Sequence, residues 1–289
     1  MMLRAPLPRN PADHRGAPMA DADHITIIKS TQPPQVCKAF VLADDGRLTK
    51  HAVAAVTEGE AVTRPVKDAP AMVKVLNTVT ERPDLVLCPG AFHGAGRDPF
   101  RLVPEATLAR LAGSKVGEVA GGVHDIGGER VAARLKRGIS PASWLLLDCD
   151  NPAGIPDDLA AMGIADRLAF LDPIIPGIGR CERIEARSSS ARVFRGNQPP
   201  GAPSHAWIRV SDPSRIATLK AATTIAMVTA GLSFPSPRYS RTEPGKVVGH
   251  QHRTVADTAV WDSGRLVFCA RPDVSAAPGY GVADAGITI

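Results

Sequence analysis

The chain has 289 residues, 44% of them apolar, and a formal charge of +5, which is enough sequence for one large domain or two ordinary ones with a sizeable core. Aromatic residues make up only 4%, which argues against a broad base-stacking surface, while the positive charge is compatible with a nucleic-acid partner without requiring one. No apolar run reaches the roughly eighteen residues of a membrane helix, and five scattered cysteines with no Cys-x-x-Cys pair point to a reducing, cytoplasmic setting rather than to disulfides or a cysteine-based zinc site.

Residues 1–22 are rich in Pro, Arg, Asp and His and lack an apolar h-region, so they read as a flexible tail rather than a signal peptide. Residues 24–28 alternate as a strand. A second strand over 37–42 (CKAFVL) is turned by Asp44-Asp45-Gly46 towards a return strand within 47–56. The spacing predicts a helix over 69–79 and a short strand over 84–87. The glycine-rich piece 90–96 reads as a plain loop, since no helix of the dinucleotide-binding type follows, and no Walker-type phosphate loop occurs. A short helix is expected over 104–111, a loop over 113–128, and a basic helix over 129–137 (ERVAARLKR). Its charges are either a solvated face or a track for a phosphate backbone.

The most informative stretch is Trp144-Leu145-Leu146-Leu147-Asp148-Cys149-Asp150-Asn151-Pro152. An apolar run stopped by Asn-Pro is the pattern of a buried strand that ends in a loop. Residues two apart on a strand share a face, so Asp148 and Asp150 project together. Such a pair repels itself unless a cation lies between, and hard oxygen ligands of this kind suit Mg²⁺ or Mn²⁺; the alternative is a solvated Asp-x-Asp turn. Downstream, 156–170 is an amphipathic helix with a break at Gly163. Ser188, Ser189 and Ser190, between Arg187 and Arg192, form either a polar turn or a set of hydroxyls and guanidinium forks for a triphosphate. A strand over 205–210 opens with His205, a helix is expected over 214–230, a Pro-rich loop over 233–249, and a last strand over 264–268. His250 and His252 have no third soft ligand nearby for zinc.

These pieces come in a telling order: an apolar strand ending Asp-x-Asp, a serine-rich turn, a strand opened by His, and an Asp before an Arg-Leu-Val-Phe run. In that order the chain resembles the archaeo-eukaryotic primase superfamily, and most of all its bacterial, plasmid and phage primase-polymerase branch. The matching segments are LLLDCD (145–150), RSSSARV (187–193), SHAWIRV (204–210) and TVADTAVWDSGRLVF (254–268), with KAFVLADDGRLTK (38–50) in the expected N-terminal place. The resemblance covers roughly residues 24–275. It departs from the family where Ser-x-His would stand, since Pro203 precedes Ser204-His205. It departs again where Pro-Glu-Arg would stand, since the chain reads Asp262-Ser263-Gly264-Arg265.

The resemblance implies an α+β fold over 23–289. An RRM-like antiparallel palm sheet with packed helices would occupy about 141–275, against an N-terminal α/β subdomain of about 23–140. It implies a DNA primase/polymerase that transfers nucleotides from NTPs or dNTPs by a two-metal mechanism. Asp148, Asp150 and Asp257 would be the catalytic carboxylates and would hold two Mg²⁺ or Mn²⁺ ions. His205 with Ser188, Ser189 and Ser190 would bind the nucleotide phosphates. Arg187, Arg192, Lys246 and Arg253 would neutralise the triphosphate or the template. Implied partners are a single-stranded DNA template, a primer and, because members of the branch are often fused to one, a helicase; no membrane is expected. Two other readings are open: a non-catalytic single-stranded nucleic-acid-binding domain of a replication initiator, and a metal-dependent phosphoesterase or nuclease. Three clustered carboxylates without metal would repel one another, which predicts at least one raised carboxyl pKa.

Overall fold

A computed structural model describes residues 23–52, 55–149, 151, 154–240, 243 and 246–289. The expected tail over 1–22 and Asp150 lie outside the described residues. The first half runs β1 (His24–Gln32), β2 (Ala39–Leu42), β3 (Leu48–His51), β4 (Glu58–Pro65), α1 (Ala69–Glu81), β5 (Leu85–Cys88), β6 (Gly90–Phe92), β7 (Phe100–Leu102), α2 (Glu105–Leu111), β8 (Gly122–Ile126), β9 (Glu129–Ala133) and β10 (Ile139–Pro141). The second half runs β11 (Trp144–Asp148), α3 (Asp157–Ala161), α4 (Ile164–Leu171), β12 (Arg183–Ala186), β13 (Val193–Arg195), β14 (His205–Arg209), α5 (Ile216–Thr229), β15 (Ser233–Tyr239), β16 (Val247–Thr254), β17 (Asp273–Ala276) and β18 (Tyr280–Val282). The class is α+β, as expected.

Two sheets organise the molecule. The first has six strands in the order β5-β1-β4-β7-β9-β8, antiparallel except between β7 and β9. The second has three antiparallel strands in the order β11-β14-β12. Between them lies α1. Its N-cap Asp68 accepts a hydrogen bond from the Ala71 amide at 2.8 Å, and its buried residues Met72, Leu76 and Val79 recur at helical spacing. One apolar cluster runs from Ile25 and Leu87 through those three side chains to Leu145, Leu146, Leu147, Trp207 and Trp261. The expected division near residue 140 is therefore a change of sheet and not a change of core.

Several expectations need correction. The basic helix expected over 129–137 is strand β9 followed by a 3₁₀ turn at Lys136–Gly138, and the loop expected over 113–128 contains β8. Gly127 and Gly128, with φ of 61° and 82°, supply the paired positive angles of a tight hairpin. That turn folds Val131, Ala132 and Ala133 into the sheet, each at most 1% exposed. Local charge spacing favours a helix; the glycine turn and the burial override it. The loop expected over 233–249 is largely the hairpin β15–β16, whose two-stranded form tolerates Pro235 and Pro237. The last strand expected over 264–268 reduces to Val267, which exchanges backbone hydrogen bonds with Leu87 at 2.7 and 3.2 Å. Among the described residues no helix is long and apolar enough to cross a membrane, and all five cysteines are free thiols.

Candidate functional site

One end of the three-stranded sheet collects most of the residues that the sequence singles out. Asp148 is the last residue of β11 and stands opposite His205, the first of β14, which in turn stands opposite Ala186, the last of β12. The serine turn begins directly after Ala186. On the other side of β11, the Asp257 amide donates to the Asp148 carbonyl at 2.8 Å. Ala186, His205, Asp148 and Asp257 thus form one row across the sheet end. The row is set locally: the apolar run 144–147 must be buried, so the strand can become polar only where it leaves the core.

The row is held from below. Trp261, 4% exposed, donates its indole N–H to the Leu146 carbonyl at 2.8 Å. Asp257 caps the 3₁₀ turn Thr258–Trp261, accepting from the Ala259 amide at 2.8 Å. Arg167 of α4 is 6% exposed and donates to the carbonyls of Cys149, Leu159 and Ala160 and to the side chain of Asn151. Its guanidinium ties the two described residues that flank Asp150 to α3.

The electrostatics centre on Asp148. Its side chain is 19% exposed and that of His205 8%, with Nε2 and Oδ1 3.5 Å apart, an ion-pair contact rather than a well-formed hydrogen bond. Among the described residues the buried Oδ1 accepts no hydrogen bond. Burial by itself would raise the Asp148 carboxyl, but the contact with His205 and the charges of Lys38 and Arg253 outweigh it and hold it below its ordinary value. Asp148 is therefore not the raised carboxyl expected of at least one member of the cluster, because cations that the sequence does not place together surround it; Asp150 lies outside the described residues. Burial also pushes the nearby Cys269 thiol up to about 12.

Other expected residues divide. Lys38, just ahead of β2, donates its Nζ to the Ser190 hydroxyl at 3.2 Å, so a cation from the first half reaches the serine turn. Ser188 accepts from the Ala191 amide at 3.3 Å, and Ser189, 1% exposed, donates to the Phe268 carbonyl at 3.4 Å. Arg192 is a correction. It is fully buried and donates to the Ala283 and Thr80 carbonyls and to Glu81, so it fastens the C-terminal segment to α1 and is not placed for a triphosphate. Arg187 bonds the Gly201 carbonyl and Asp284. Lys246 pairs with Glu243 at 2.8 Å, outside the row. Arg253, on β16, contributes charge at Asp148. Asp150 lies outside the described residues. Lys38 and Arg167 are the two that sequence reasoning misses. The one available signal is a lone cation at the mouth of an apolar strand or inside an amphipathic helix.

Two cavities border the row. One of about 300 Å³, on the Asp257 side, is lined by Lys220, Ser233, His252, Arg253 and Asp257 among others. The other, about 270 Å³, is lined by Cys149, Asn151, Arg167, Ala191 and Ser204 among others. Larger cavities of about 560 and 530 Å³ touch none of the expected site residues, so size does not locate the chemistry here. The charge pattern can act on a ligand in two ways. A buried carboxylate oxygen that accepts no hydrogen bond among the described residues suits a hard cation, and a lysine with a serine hydroxyl suits an anion. Among the described residues, which exclude Asp150, no group of three or more His, Cys, Asp or Glu side chains is gathered as a metal cage. Comparison with protein-family models, with curated proteins and with solved structures finds no match to this chain.

Proposed function

We propose that the chain is a template-directed nucleotidyltransferase of the primase-polymerase kind, acting on NTPs or dNTPs. The observation that carries the reading is the row of Asp257, Asp148 and His205 at one sheet end, with the serine turn following its last member. Supporting it is the chain order β11, helices, β12, β14, α5 with spatial order β11-β14-β12. That order is compatible with an RRM-like palm in which the stretch around Asp257 takes the place of the fourth strand.

Asp148 and Asp257, together with Asp150, are the residues that would hold Mg²⁺ or Mn²⁺, and the unsatisfied Oδ1 of Asp148 fits that use. When bound, such ions activate an attacking hydroxyl and neutralise a leaving pyrophosphate. The chain's own residues do the rest. Lys38 and Ser190 present a charge and a hydroxyl to the nucleotide phosphates, and His205 sits in a protected position between them and the carboxylates. Burial of His205 and Asp148 keeps their geometry fixed and limits competition from water.

Incubation of the full chain with labelled nucleotides, a primed single-stranded template and Mn²⁺ tests the reading, which expects extended product. A second reading draws on a specific observation, the withdrawal of Arg187 and Arg192 into contacts with the fold. With fewer cations left for a triphosphate, the chain would be a non-catalytic single-stranded nucleic-acid-binding domain, and the same assay would give binding without extension. Shortening of the primer would instead identify a phosphoesterase or nuclease.

A further inference from the structure

The β15–β16 hairpin stands out by its charge and, along β16, by its exposure, while Phe234 and Ser236 of β15 pack inward. Of the eight residues Val247–Thr254, all but Gly249 and Thr254 are exposed, including Val247 at 47% and Val248 at 53%. Neither strand contains a carboxylate, whereas they carry Arg238, His250, His252 and Arg253. Phe234 stands opposite Arg253 and Arg238 opposite Gly249, so both arginines share one face of the hairpin. Four residues of antiparallel strand separate the two positions, about 14 Å, so the two charges can meet different phosphates of one strand. The charge of Arg253 reaches Asp148, and Arg253 and His252 line the cavity beside Asp257, so this face borders the candidate site.

The rest of the basic surface behaves differently. Arg130 donates to the Gly94, Ala95 and Asp98 carbonyls, Arg134 to the Gly264 carbonyl, and Arg137 to the Val119 carbonyl and Glu105. The stretch that the sequence offers as a phosphate track is therefore engaged with its own chain. The Arg238 side chain has no hydrogen-bond or ion-pair partner among the described residues.

We propose that the face of the β15–β16 hairpin bearing Arg238 and Arg253 is the surface on which the chain holds the backbone of a single-stranded nucleic acid beside the Asp148–Asp257 row. This rests on the nucleotidyl-transfer reading and adds to it the place where the template lies. Charge complementarity selects the occupant, since an acid-free strand pair with two arginines on one face suits a polyanion. Strand addition by a protein is disfavoured, because Pro235 and Pro237 remove two donors from the edge of β15. With so few aromatic residues in the chain, grip on phosphates outweighs base stacking.

The test uses the full chain, a fluorescent oligothymidylate and EDTA, with anisotropy followed from about 50 to about 200 mM salt. Arg238→Glu should weaken binding on the order of tenfold and lower the salt slope by about one. Arg238→Gln should do the same to a smaller extent. Arg110→Glu, the same charge change on α2, should leave affinity and slope as in wild type, and melting temperatures of all the variants should stay near that of the parent. Wild-type affinity in both Arg238 variants, or equal weakening by Arg110→Glu, overturns the assignment of the hairpin while leaving the nucleotidyl-transfer reading in place. An Arg238→Glu protein that changes oligomeric mass in light scattering without losing oligonucleotide affinity also overturns it, in favour of a contact between copies. A wild-type chain that binds no oligonucleotide at all sinks both the hairpin surface and the template-directed reading.

Discussion

The arginines around β9 and those of the β15–β16 hairpin have the same sequence character and opposite fates. Around β9 every one named above donates to carbonyls of its own chain, and the apolar residues between them fill the six-stranded sheet. On the hairpin the Arg238 side chain has no partner among the described residues, and the charge of Arg253 reaches Asp148. A partial contrast also holds between the two sheets, although His24 Nδ1 and Arg134 Nε at the first are themselves buried without a hydrogen bond among the described residues. The six-stranded sheet pairs the charges at its rim, as in Arg101–Glu129 and Arg137–Glu105. The three-stranded sheet ends in a carboxylate whose buried Oδ1 meets His205 at 3.5 Å and accepts no well-formed hydrogen bond among the described residues. Polar groups that are satisfied internally stabilise a fold, and a buried one left open calls for an explanation of its own, which at Asp148 the proposed site supplies.

The sharpest test of that division is Asp148→Asn. If the sheet end is the reaction centre, nucleotide incorporation should fall by on the order of 10³-fold or more, equivalent to about 4 kcal/mol of barrier, while oligonucleotide binding persists. Incorporation at a wild-type rate would break the comparison. Arg192→Met tests the other class. Truncating a fully buried guanidinium leaves the Thr80 and Ala283 carbonyls without their donor, which should cost about 3 kcal/mol in urea unfolding. Activity per folded molecule should stay within about twofold, since each kcal/mol in the barrier would already change a rate about fivefold. A stable variant that had lost nucleotide affinity would return Arg192 to the site.

Lys38→Met sharpens the assignment within the site. Removing one charged contact of the serine turn should raise KM for the nucleotide about tenfold, roughly 1.4 kcal/mol, with kcat changed less. An unchanged KM would leave Lys38 as a link between the two halves only.

The smallest effect concerns the joint between the regions. Asp262 pairs with Lys136 from the first half and with Lys220 on α5, both at 3.0 Å. Burial would raise its carboxyl, but the two lysines outweigh it and hold it below its ordinary value. A carboxyl lowered on folding stabilises the protein above its unfolded pKa, and that contribution disappears as pH falls through the folded value. Because the pair with Lys136 is largely exposed, the gain is under about 1 kcal/mol. The stability difference between wild type and Asp262→Asn should therefore be present near pH 6 and vanish towards pH 3. A difference that grows on acidification would contradict the pairing.

By itself the sequence determined the elements whose pattern is local. The alternation of 24–28, the helical spacing of 69–79, the apolar run into Asp148 and the strand opened by His205 all appear as β1, α1, β11 and β14. It also determined the order of Asp148, the serine turn, His205 and Asp257, and strand geometry then sufficed to bring His205 opposite Asp148. Only the tertiary structure decided which cations meet those residues. Lys38 reaches Ser190 across 152 positions of sequence, Arg192 is drawn to carbonyls 91 and 112 positions away, and residues 129–133 become a strand through partners supplied by β7 and β8. Periodicity is written in neighbouring residues, whereas the partner of a buried charge is whichever carbonyl or hydroxyl the packed core brings within about 3 Å.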